Sequence, residues 1–210
     1  MRFAVCGGKG GCGKTTTALS LAGALVETRR SPFVIDCDRD MPNLHVYAGT
    51  QDEPGVTALA DGASIDTVAH HASQPDGVRI IPGVPGNDVA GALSCLDAAT
   101  SREPIVLDTP AGASEDVATP LRFADAAILV TTPSGPCVRA AMKTAAMARA
   151  LEAPIAGVVV SRAVDVPPDL PGAVGVPRDR IVSVPAASDP LVSTAWRPIR
   201  RLSGIVRPNA

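Results

Sequence analysis

The chain has 210 residues with 19 basic and 21 acidic side chains, so it is long enough for one domain with a sizeable core, and its net charge of −2 argues against broad nonspecific nucleic-acid binding. Aromatic residues make up only 2% of it (Phe3, Phe33, Tyr47, Phe123 and Trp196), which argues against a stacking platform for single strands. The 5 cysteines are odd in number and form no C-x-x-C pair, so neither a disulfide framework nor a zinc site is suggested.

The first element, residues 2–6, is a short apolar run of the buried-strand kind. It leads into Gly8-Lys9-Gly10-Gly11-Cys12-Gly13-Lys14-Thr15, which fits the phosphate-binding pattern G-x-x-x-x-G-K-[ST]. A glycine loop ahead of a helix presents backbone N–H groups and a positive dipole end to phosphate oxygens. In that pattern Lys14 reaches the β- and γ-phosphates and the Thr15 hydroxyl ligates Mg2+. The helix that follows is predicted over 14–30. Ala18, Leu21, Ala22, Leu25 and Val26 lie on one face, and Ser31-Pro32 stops it.

Further strands are predicted at 33–37, 78–81, 104–108, 126–131, 155–160 and 181–184. Helices are predicted at 56–60, 64–71, 87–99, 115–123, 136–152 and 188–196. The Pro-rich stretches 82–86 and 165–177 read as loops. This alternation implies a single-domain α/β fold, a doubly wound, mostly parallel sheet with helices on both faces.

Two strand ends carry carboxylates. The first is Val34-Ile35-Asp36-Cys37-Asp38, continuing to Asn43-Leu44, and the second is Val106-Leu107-Asp108-Thr109-Pro110-Ala111-Gly112. In a parallel sheet both ends open on the same edge as the glycine loop. His70-His71 has no matched carboxylate or cysteine and reads as a solvated helix end, and His45 belongs to the segment after Asp38. Lysine occurs only at Lys9, Lys14 and Lys143, so two of the three sit in the loop. With no signal segment before the first strand and no run long enough to span a bilayer, the chain is expected to be cytoplasmic.

The second loop lysine narrows the reading. K-G-G-x-G-K-T-T at Lys9–Thr16 resembles the deviant Walker A motif of the MinD/ParA ATPases, a group of P-loop NTPases. The resemblance implies ATP and Mg2+ as ligands and a homodimer when ATP is bound, with Lys9 reaching the partner's phosphates. It implies that Gly8, Gly10, Gly11, Cys12, Gly13 and Thr16 form the cradle with Lys14 and Thr15. It gives Asp38 the orientation of the attacking water, and Asp36 and Asp108 the Mg2+ site with Thr15. Gly112 falls in the switch that registers the γ-phosphate. Ser161 and Arg162 fall where relatives contact the base, and Pro185 and Ala186 in the loop that reads adenine. Many relatives carry asparagine where this chain has Ser161. No N-K-x-D guanine signature is present.

The implied activity is a slow, partner-stimulated ATPase that positions division, polar or DNA-partition complexes through an unidentified cargo or activator. The 196–207 segment mixes arginine with apolar residues, so a peripheral membrane contact and a packed terminal segment are both open, though Pro198 and Gly204 weaken a helix there. DNA partition is the near rival, and DNA is not favoured as partner. A metallocluster carrier related to the nitrogenase iron protein is the rival of another class.

Overall fold

The computed structural model describes residues 1–96, 103–187, 191 and 197–205, the side chains of 203–205 excepted. Eight strands form one sheet: β1 (Arg2–Gly7), β2 (Phe33–Asp36), β3 (His70–His71), β4 (Arg79–Ile81), β5 (Ile105–Ala111), β6 (Ala126–Thr131), β7 (Ile155–Ser161) and β8 (Ile181–Val184). Their order is β3-β4-β2-β5-β1-β6-β7-β8, and every pairing is parallel except β3 with β4. The expected doubly wound sheet is present.

Parallel strands buried on both faces alternate their side chains between two cores. Ala4, Cys6, Ile35, Leu107 and Leu129 enter one. Phe3, Val5, Val34, Val106 and Ile128 enter the other. Helix α1 (Lys14–Val26), α2 (Leu44–Ala48) and α9 (Arg200–Ile205) cover the second core. The first is covered by α3 (Val56–Ala60), α4 (Ile65–Val68), α5 (Val89–Ser94), α6 (Glu115–Phe123), α7 (Gly135–Ala150) and α8 (Leu170–Val174).

The departures from expectation have local causes. Helix α1 stops at Val26 because Thr28 and Arg29 donate to carbonyls three residues back and Arg29 turns left-handed, with φ 62. His70-His71 is not a helix end. Ala69 is extended (ψ 137), and the two histidines pair with Ile80 and Arg79 as an edge strand while His70 Nε2 meets the Pro54 carbonyl at 2.7 Å. The short helices α2 and α8 each bury only two residues an i, i+4 turn apart, too little for a periodic signal. Helix α8 interrupts the stretch read as a loop, and Pro171 is tolerated in its first turn, where the missing N–H is harmless. The expected helix at 188–196 and the end of the one at 87–99 lie outside the described residues.

Strand β1 lies between β5 and β6, and the chain builds outward from it in both directions. Ligands of open α/β sheets sit at such a reversal, beyond the carboxyl ends of the strands. The glycine loop leaves β1 at that point.

Candidate nucleotide-binding site

The loop's shape follows from its glycines. Gly11 and Gly13 adopt φ 72 and φ 93, and the second of these opens α1 at Lys14. A Cβ on Gly8 would fall 2.2 Å from the Ala140 Cβ of α7, so the loop passes too close to that helix for any side chain. On the other side, a Cβ on Gly10 or Gly11 would meet nothing within 4 Å, leaving the loop backbone open.

Beside that open face lies a cavity of about 330 Å³. It brings together Gly10, Gly11, Gly13, Lys14, Thr15, Thr16, Asp38, Asp108 and Arg162, all expected from the sequence. A second cavity of about 180 Å³ shares Gly13, Thr16 and Arg162 with the first and adds Ser161, Pro185 and Ala186. The two therefore adjoin along the first turn of α1, as a polyphosphate and a base would require. Gly8 and Gly112 border a third cleft, with Arg139 and Lys143 of α7. Cys12 points down into the core and is 2% exposed. Lys9 is exposed.

The carboxylates divide in role. Asp36 and Asp108 are register partners across β2 and β5, buried to 1% and 3% exposure. Asp36 Oδ1 accepts from the Asp38 N–H, and Oδ2 accepts from the N–H groups of Asn43 and Leu44, each at 3.0 Å. Burial pushes the Asp36 carboxyl up to about 6 against the pull of those donors. Asp36 is thus committed to the backbone of the segment carrying Asp38, and it does not line the first cavity. Asp108 does line it. Burial first, and then the Asp36 charge, push Asp108 up to about 8, opposed by the Thr15 hydroxyl bonded to it and by Lys14. Asp108 Oδ1 is buried without a partner. An orphaned carboxylate oxygen beside a threonine hydroxyl suits a hard divalent cation such as Mg2+, so the pair fits the implied metal. Asp38 is half-buried, and its Oδ1 accepts from Asp40 and Met41, which fixes it at the cavity wall.

Asp36→Ala removes all three acceptor contacts at once. Amide exchange at Asp38, Asn43 and Leu44 is expected to speed up markedly, with amides of β1 unchanged. Unaltered exchange at Asn43 and Leu44 would show that the segment is held by other contacts.

Several lining residues were not expected. Met41, Asn43 and Tyr47 reach the first cavity from the segment after Asp38, and Asn43 alone had a signal, in the quoted motif. Ser20 enters the second cavity from the inner face of α1, and Ile199 from the far C-terminal region. Neither position carried a sequence signal.

A glycine loop ahead of a helix at the reversal point of a parallel sheet, with two strand-end aspartates, defines a P-loop nucleotide-binding protein. Residues 3–167 match the family of the CobQ/CobB/MinD/ParA nucleotide binding domain, and the chain belongs to that family. It is 30% identical over 172 residues to an ATP-binding protein of Methanocaldococcus jannaschii, covering 77% of this chain and 64% of that protein. It is 30% identical over 145 residues to the septum site-determining protein MinD of Escherichia coli K12, covering 64% and 54%. The cell division ATPase MinD of Pyrococcus furiosus has the same fold, with a TM-score of 0.81 at 23% identity over 98% of this chain and 97% of that one. The chain thus spans slightly under two thirds of the first relative and about half of the second.

Proposed function

We propose that the chain is an ATP-binding and hydrolysing switch that dimerises with ATP and positions a cell-division, polar or DNA-partition complex. The observation that carries this reading is the first cavity, which joins the open glycine loop, Lys14, Thr15, Asp38 and the orphaned Asp108 oxygen. Lys14 binds phosphate oxygens, and Thr15 and Asp108 hold the cation. When bound, Mg2+ draws charge from the phosphate oxygens and templates their geometry. Asp38, fixed by two backbone N–H groups, orients the attacking water, which suits a reaction limited by in-line positioning rather than by base strength. Lys9, exposed on the loop, reaches a second subunit's phosphates in the ATP dimer. Charge supplied from a partner stabilises the charge that spreads during transfer.

The C-terminal region favours a packed segment over a membrane anchor. Ile199 and Leu202, two of the apolar residues such an anchor would present, are 2% and 1% exposed in the α1 core. Residues 206–210 lie outside the described residues, and among those described no helix is long and apolar enough to cross a membrane.

Light scattering with Mg2+ and either ADP or ATP tests the switch. A monomer with ADP, a dimer with ATP and a persistent ATP dimer for Asp38→Ala are expected. Equal monomer fractions for Asp38→Ala and wild type in ATP would sink the trapped-dimer reading. Repeating the measurement with anionic liposomes and with DNA identifies the surface. DNA retention that needs ATP and falls steeply with salt would favour the partition reading.

A further inference from the structure

Ser161 ends β7 beneath the phosphate loop. Its Oγ lies 2.5 Å from the Cys12 carbonyl oxygen and 3.3 Å from that of Thr131. A serine hydroxyl has a single proton, and the shorter contact takes it, so Ser161 donates to Cys12. A Cβ on Gly13 would lie 3.6 Å from both the Cβ and the Oγ of Ser161. The side chain therefore packs under the left-handed turn that delivers the chain into α1.

The next residue explains how β7 can do this. Arg162 adopts φ 55, a conformation uncommon for a residue with a side chain. The Ala163 N–H then donates to the Val184 carbonyl at 3.1 Å, tying the turn to β8. Strain of this kind persists where the surroundings enforce it and points to a functional role. The turn sends Ser161 inward to the loop and Arg162 outward, where it lines both cavities.

We propose that Ser161 is a positioning residue for the phosphate loop rather than a reader of the base. Its hydroxyl holds the Cys12 carbonyl back from the ligand side and so fixes the Cys12–Gly13 peptide. Its contribution is then the same for any polyphosphate, whatever base is attached. The proposal rests on the nucleotide-binding reading above.

The test is calorimetric titration of wild type, Ser161→Ala and Ser161→Thr with ATP, GTP and base-free tripolyphosphate, all with Mg2+. Ser161→Ala is expected to lose about tenfold in affinity for all three, as one hydrogen bond to the loop implies, with the ATP-to-GTP ratio unchanged. Ser161→Thr, which keeps the hydroxyl, restores most of the loss. Should Ser161→Ala not fold, Ser161→Cys, with a weaker donor of similar size, is expected to show the same uniform but smaller loss. A loss confined to ATP and GTP with tripolyphosphate unaffected, or a changed ATP-to-GTP ratio, would assign Ser161 to the base and overturn the proposal. Unchanged binding of all three ligands in Ser161→Ala would also overturn it. A wild-type chain that binds none of them overturns the nucleotide reading itself and this proposal with it.

Discussion

Lys14→Ala is expected to weaken ATP binding by about 100-fold or more, equivalent to about 2.8 kcal/mol. Lys14 is the first residue of α1, 8% exposed, and lines the cavity beside the open loop backbone. Its ammonium is the buried cation of that wall, in surroundings where a charge-assisted hydrogen bond is stronger than in water. Alanine removes this cation and with it the opposing charge that now lowers the Asp108 pKa, so the carboxyl is driven further toward its protonated form, which holds a divalent cation less well. Both effects act against the ligand. Fluorescent-nucleotide titration measures the loss, and affinity within threefold of wild type would remove this cavity as the phosphate site.

Asp108→Asn is expected to cut ATP turnover by about 100-fold or more, since the proposed function gives this buried carboxylate the cation. It also has a consequence without any ligand. Asp108 rises from 3.8 to about 8 in the folded chain. Between those values the folded state keeps a proton that the unfolded state has lost, so folding is favoured at the acid end and stability falls as pH rises from about 4 to about 8. Asp36, raised to about 6, adds to the lower part of that window. Removing the Asp108 carboxylate removes its share. The melting temperature of the nucleotide-free variant is expected to fall less between pH 5 and 8 than that of wild type, and to lie several degrees above it at pH 8. Parallel melting curves for the two proteins across this range would contradict the buried-carboxylate description. Turnover and stability thus move in opposite directions, as expected where a strained site serves function.

The sheet and the loop were legible because their signals are local and repeated. Runs such as Ala126–Thr131 are short, apolar and partly β-branched, as buried strands are, and the spacing of Gly8, Gly13, Lys14 and Thr15 specifies a loop before a helix. The partition of labour between the two aspartates was not legible. Asp36 and Asp108 end similar strands in the same register. Only the path of the backbone after Asp36, which brings the N–H groups of Asn43 and Leu44 back to it, separates the carboxylate tied to the backbone from the one with an unpartnered oxygen at the cavity. Ile199 was hidden for a related reason, since a residue joins a cavity across long sequence separation through packing that no periodicity records. The edge strand at His70-His71 is two residues long and shorter than any pattern can resolve.

The distribution of lysine has a practical corollary in protein chemistry. Arginine supplies every basic side chain apart from Lys9, Lys14 and Lys143. Lys9 and Lys14 belong to the loop, and Lys143 borders the cleft that the loop shares with Gly112 and α7. The ε-amines of the chain are therefore gathered at one rim of the molecule. An acylating reagent selective for primary amines would label this rim and the N-terminal amine and leave the remaining surface unmarked, so the chain carries a built-in footprinting reporter for whatever covers the loop.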